Sequence, residues 1–321
     1  MPLGTGGRDE FVNVLNSSKG FAGQFDGRGY AIAGLVINRP LAYYVGLFGF
    51  QGGGTISRIG LTGGSVIGHS NVGGLVGYQQ LGSIDQSYAT GNVSGRGFVG
   101  GLIGFSSHGS IAQSYAAGSV SGDRSVGGLV GGQSYGSITQ SYAVGSVSGN
   151  SSVGGLVGYQ NFGSVTQSYW DMTTTGQMQG RGGGAVPFGA KGLTTAEMQD
   201  LSNFADTYDD WNFTSVWSPP NQVGQNGGSA TAYYPELYAL SRVVAVAPNG
   251  ASIVYGTPAQ TPIAQYYGLR AGDFLTAPAT IAGASAADHV DSYPLIASGA
   301  RARNPAYRFV YQPATLTITP A

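Results

Sequence analysis

"GGLVGYQQLGSIDQSYATGNVSG", residues 73–95, has six glycines, a single charged residue and no cysteine, and it returns starting at Gly100, Gly127 and Gly154. Aligned on their glycines, the copies keep a strict period of 27: Leu75, Leu102, Leu129 and Leu156 are equivalent, as are Tyr88, Tyr115, Tyr142 and Tyr169. Val72, Val99, Val126 and Val153 fall in step, and so do Ile84, Ile111, Ile138 and Val165. A degenerate earlier copy, "VGLFGFQGGGTISRIGL", places Leu47 28 residues before Leu75. Repeats of 20–50 residues signal solenoids, propellers or arrays. A propeller blade needs about 40 residues, leucine-rich repeats need a pattern absent here, and glycines every few residues exclude helical repeats. The short pieces "GLVGY", "SIDQSY" and "NVSG" fit one coil of an all-β parallel β-solenoid, each strand pairing with its equivalent about 4.8 Å along the axis.

The copies also indicate side-chain direction. Position 85 is Asp, then Ala, Thr and Thr in register, so it is expected to face water. Strand alternation then turns Ile84, Gln86 and Tyr88 inward. The expectation is an inward amide ladder of Gln86, Gln113, Gln140 and Gln167, hydrogen-bonded from coil to coil. An inward Tyr115 implies a loss of about 3–5 kcal/mol on its removal. Leu75 and Val76 cannot both point inward from one regular strand, and the flanking glycines offer a bend.

Composition narrows the function. Of 321 residues, 57 are glycine and 9% are charged, against 41% hydrophobic, which excludes collagen and a disordered chain. A net charge of −1 without a basic run argues against nucleic acid as a partner. The absence of cysteine removes thiol chemistry and thiolate metal sites. No apolar run is long enough for a membrane-spanning helix. "MPLGTGGRDEF" (1–11) lacks a secretory leader pattern, so the chain is expected to be cytosolic or a segment of a longer exported polypeptide.

These residues resemble a known family. "VGGLVGYQQLGSIDQSYATGNVSG" and its copies resemble the GLUG motif repeat of filamentous-haemagglutinin-like bacterial secreted adhesins. "FAGQFDGRGYAIAGLVINRP" (21–40) and "YYVGLFGF" (43–50) look like the coils that lead into such repeats. "SYWDMTTTGQ", "GLTTAEMQDLSNF", "WNFTSVW" and "YYPELYAL" resemble the segment that closes them. "IVYGTPAQ", "YYGLRAGDF", "DHVDSYPLIASGA" and "YRFVYQPATLTITPA" resemble an MBG-type module. The resemblance implies a right-handed parallel β-solenoid followed by a small all-β module, exported to the cell surface or medium within a longer polypeptide.

The expected division is a solenoid over 1–190, a helix-containing cap and connector over 191–242, and an immunoglobulin-like β-sandwich or β-grasp module over 243–321. In the connector, Thr194 and Glu197 form a capping-box pattern ahead of a short helix expected to cover the open end of the solenoid. Trp170, Trp211 and Trp217 are expected to plug the same end.

Candidate chemistry is sparse. His69 aligns with Arg96, Asp123 and Asn150, and His108 with Leu81, Tyr135 and Phe162, so both read as variable loop positions. His289 lies between Asp288 and Asp291, a pattern read as a polar turn. "DTYDDW" (206–211) offers Asp206, Asp209 and Asp210, read as a solvated loop rather than a glycosidase pair. "GTGG" and "GGGT" lack the GK[ST] of a phosphate loop. The repeats lack the Asp of calcium nonapeptides and the regular Thr faces of ice binders. No catalytic residue, cofactor or metal is expected. The expected function is a non-enzymatic structural or adhesive segment of a secreted bacterial surface protein, a rigid spacer or binding rod whose partners are host-surface or matrix glycans or proteins. The alternatives are a polysaccharide-cleaving β-helix and a carbohydrate-binding module in which Tyr78, Tyr135 and Tyr159 stack on sugars.

Overall fold

The computed structural model describes residues 20–222, 232–257, 262–283 and 289–321. The leader pattern, Pro258–Gln260 and Asp288 lie outside them. The chain divides into two compact units, residues 1–195 and 196–321.

The first unit is a three-sided parallel β-solenoid. One face carries the "GLVGYQ" strands Phe48–Gln51, Val76–Gln79, Ile103–Ser107, Val130–Ser134 and Val157–Asn161, closed by Arg181–Gly183, giving six rungs. The second carries the "SIDQSYA" pieces and the third the "NVSGRGFVG" pieces, both joined rung to rung in parallel. Equivalent residues pair directly: Val76 with Ile103, Ile103 with Val130, and Val130 with Val157. The 27-residue period is therefore a hydrogen-bond register. Its inner cluster stacks Leu75, Leu102, Leu129 and Leu156, the Ile84 column, and Ala89, Ala116, Ala143 and Trp170.

Leu75 and Val76 both reach this core, and the backbone shows how. The N–H groups of Leu75 and Val76 both donate to the Leu102 carbonyl, at 3.0 and 3.1 Å, and Leu102 and Ile103 both donate to the Leu129 carbonyl. Two donors on one acceptor mark a corner, and a corner lets consecutive side chains turn the same way.

A second corner corrects the expected alternation. Gln86, Gln113, Gln140 and Gln167 have φ of 44–48°, in the left-handed region. After that reversal Ser87 and Ala89 point inward and Tyr88 outward. The glutamine ladder does bond from coil to coil, Gln86 Nε2 to Gln113 Oε1 at 3.2 Å and Gln113 Nε2 to Gln140 Oε1 at 3.0 Å. It lies half-buried on the corner, not in the core. The buried amides are Gln51, Gln79, Gln133 and Gln160, at the end of the "GLVGYQ" strands. Tyr88, Tyr115 and Tyr142 form an outer stack with ring centroids 4.8 Å apart; Tyr115 is buried but stands outside the inner cluster.

Ser87, Ser114, Ser141 and Ser168 take the inward corner place and are fully buried. Ser114 Oγ accepts the Ser87 N–H at 3.2 Å and donates to the Ala112 carbonyl at 2.7 Å. Ser114→Ala strands a buried donor and is expected to cost about 1–3 kcal/mol in urea unfolding; a loss below about 0.5 kcal/mol would mean that water replaces the hydroxyl.

Position 85 does face outward, half-covered. Burial pushes the Asp85 carboxyl up, opposed by the Gln86 N–H and by Arg58. A raised acid pKa gives stability that is present below the ordinary carboxylate value and lost as pH rises through the folded value. Asp85→Asn is therefore expected to raise the melting temperature at pH 7 and to bring no gain near pH 3; a gain that is equal at both pH values would refute it.

In the second unit, one-turn helices at Thr195–Met198 (whose first residue is the last of the solenoid unit) and Phe204–Thr207 replace the single expected helix. Trp211 and Trp217 stack on each other at 4.5 Å in this unit. Trp170 belongs to the solenoid core. In the C-terminal module Val243–Pro248 pairs in parallel with Arg308–Tyr311, and Ala251–Val254 with Ala314–Thr319. The module is built of small sheets, and no helix occurs among its described residues.

Candidate binding surface

The solenoid corner after each "GLVGYQ" strand carries Leu81, His108, Tyr135 and Phe162. His108, Tyr135 and Phe162 all have positive φ, near 60°, which splays their side chains outward. His108 stacks on Tyr135 at 4.9 Å and Tyr135 on Phe162 at 4.7 Å, both nearly parallel. Beside them runs an open groove of about 480 Å³ lined by Gly82, Gly109, Gly136 and Gly163 with Ser110, Ser137 and Ser164. Glycine is required there by close approach: a Cβ on Gly136 would lie 2.3 Å from the Gly109 carbonyl oxygen.

The three candidate tyrosines occupy two different rows. Tyr135 is 55% exposed, yet both ring faces are covered by His108 and Phe162. Tyr78 lies between Phe50 at 5.4 Å and Phe105 at 5.6 Å, again nearly parallel, with the edge of Tyr44 alongside. Sugar stacking needs a ring face, because the apolar side of a pyranose lies flat against the π-system. Tyr78 and Tyr135 can offer only edges and hydroxyls. Tyr159 differs: it shares Tyr78's row, but its register partners are Gly132 and Gly183. No ring stacks on it among the described residues. The column Phe50, Tyr78, Phe105, Gly132, Tyr159 thus loses its ring at Gly132, a break that is visible in the sequence only in register from copy to copy.

The other candidates stay apart. His69 packs on Tyr43 at 4.7 Å. Its row continues outward with Arg96, Asp123 and Asn150, where Asn150 Nδ2 donates to Asp123 at 3.3 Å. His108 Nδ1 meets Ser107 Oγ at 3.0 Å. His289 is exposed, and its carbonyl accepts the Tyr293 hydroxyl at 3.0 Å. Asp206, Asp209 and Asp210 are exposed around a turn. Among the described residues, no three His, Asp or Glu side chains gather as a metal site, and no helix is long and apolar enough to cross a membrane.

Coils in strict register, a buried ladder core and a separate β module define a parallel β-solenoid repeat protein. Its repeats at residues 68–94 and 122–148 match the GLUG motif, and residues 244–317 match the MBG domain of the YGX type. The chain thus carries GLUG repeats followed by an MBG domain. It is also similar to a crystal structure described as that of a candidate immunoglobulin A1 protease from Bacteroides ovatus, 19% identical, covering 67% of this chain and 77% of that one with a TM-score of 0.48. No curated protein matches the chain.

Proposed function

We infer that this chain is a non-enzymatic structural and adhesive segment of a secreted or surface-exposed bacterial protein, a stiff spacer whose flank can bind. GLUG repeats and an MBG domain support the setting. The observation that carries the reading is the in-register pairing of the repeated coils, each holding the next through backbone bonds and stacked side chains. Such a chain gains stability from nearest-neighbour interfaces and has a length set by coil number.

The test is incubation of the purified chain with neutral and acidic polysaccharides, assaying both new chain ends and co-sedimentation. The expected result is no new chain ends. Release of new ends would overturn the reading in favour of a cleaving β-helix and direct attention to Asp209, Asp210 and His289.

A further inference from the structure

We propose that the open groove beside the His108, Tyr135 and Phe162 stack binds an uncharged glycan strand lying along the solenoid axis. This deepens the adhesive reading and rests on it.

The groove of about 480 Å³ is lined by four successive coils, from Gly82 to Ser164. At about 4.8 Å per coil it runs about 14 Å along the axis, which suits a short chain better than a lone sugar. Its volume falls within the range of about 300–1,000 Å³ common to small-ligand sites.

One side of the groove has hydroxyls to spare. Ser110, Ser137 and Ser164 pair in register, so they stand one coil apart on the same face. Earlier in the same column the Ser83 hydroxyl is taken up, donating to Thr55 Oγ1 at 3.1 Å. Within the groove, no described group bonds the three later serine hydroxyls. Each can donate and accept at once, as each hydroxyl of a sugar can.

The opposite bank is aromatic and already fixed. His108 and Tyr135 line it. Tyr135 is held between His108 at 4.9 Å and Phe162 at 4.7 Å, so a ligand does not have to order the ring. With its faces covered, Tyr135 presents its edge, whose positive polarity suits the lone pairs of sugar oxygens.

Two other ligand classes fit worse. A peptide strand joins a sheet through free backbone groups. Here the N–H groups of Ser110, Ser137 and Ser164 are spent on the Gly82, Gly109 and Gly136 carbonyls at 2.9–3.1 Å. An anionic chain calls for cations, and no Lys or Arg is among the described residues that line the groove. No Asp or Glu is among them either, so the groove holds a glycan without a carboxylate pair to cleave it.

The experiment titrates the whole chain, by calorimetry and by NMR, with hexamers of glucose, mannose and N-acetylglucosamine. A hexamer of galacturonic acid and a serine-alanine hexapeptide are the alternatives. At least one neutral hexamer is expected to bind, at least tenfold more tightly than its monomer, and to shift the amides of Ser110, Ser137 and Ser164. Ser137→Tyr, which fills the groove, and the triple variant Ser110→Ala, Ser137→Ala, Ser164→Ala are each expected to weaken binding at least tenfold. Ser121→Ala, on the "NVSG" face, is expected to change it less than twofold. The alanine variant adds no bulk, so it keeps the test decisive if Ser137→Tyr misfolds. The proposal is overturned if no neutral hexamer binds, if the alanine variant binds like the parent, if the shifted amides lie on another face, or if the acidic hexamer or the peptide binds as tightly. Those failures leave the non-enzymatic reading standing; release of new sugar ends in the same mixtures would overturn that reading instead.

Discussion

Gly131→Ala is expected to cost at least about 4 kcal/mol, or to prevent folding, although it adds one methyl group. The glycine is needed for space, not for an unusual backbone angle. A Cβ at this position would lie 2.4 Å from the Phe98 carbonyl carbon and the Val99 nitrogen, and 2.5 Å from the Gly104 carbonyl oxygen. All three are backbone atoms fixed by pairing between coils, so no rotamer change can relieve the clash. Gly77, Gly104, Gly158 and Gly182 meet backbone at comparable distances, so each coil repeats the constraint. Urea unfolding of the variant beside Gly53→Ala checks the argument. A Cβ on Gly53 would meet only the Ala22 Cβ, at 4.0 Å, and that change is expected to stay within about 0.5 kcal/mol. Equal behaviour of the two variants would show that the coils can slide apart.

Trp170→Ala is expected to cost about 3–5 kcal/mol. Trp170 pairs with Ala143 and ends the column of Ala89 and Ala116, so a large ring fills the core where the repeat otherwise places a methyl group. Three glycines make room for it: Cβ atoms on Gly155, Gly180 and Gly192 would fall 2.1, 2.4 and 2.6 Å from the ring. Its Nε1–H donates to the Gln177 carbonyl at 2.9 Å, which binds the closing turn to the core. Just beyond it, Asp171 accepts the N–H groups of Thr173 and Thr174 and the Thr195 hydroxyl, turning the chain out of the regular coil. Hydrogen exchange locates the damage: amides of residues 155–193 are expected to lose protection before those of 75–130. A melting temperature within a degree of the parent would remove Trp170 from this role.

The period in the sequence made the solenoid legible because identical residues can stack only if each coil has the same length. What the period cannot convey is the geometry inside one coil. Alternation counted from Asp85 put Gln86 and Tyr88 inward, because nothing in "DQSY" announces a left-handed residue at the glutamine. That single φ reversal exchanged the inward and outward sets and hid the serine column. The buried amides of Gln79 and its equivalents were equally quiet, since Ser106 interrupts their column and answers with a hydroxyl donated to Gln79 Oε1 at 2.7 Å. In the candidate site, Tyr78, Tyr135 and Tyr159 were visible as aromatic loop residues. Which of them keeps a free face depends on the residues one coil away, so it is a property of columns and not of the linear neighbourhood.

The corner at which Leu102 and Ile103 share the Leu129 carbonyl has a consequence for heredity. Its donors and acceptor sit one repeat apart, so the bonds of any coil are indifferent to how many others follow. Duplicating or deleting 81 nucleotides in frame, three for each of the 27 residues, would add or remove one storey and leave every other one unchanged. Reach could then evolve in whole steps, by recombination between near-identical gene segments, while the closing tryptophan and the module beyond it were inherited intact.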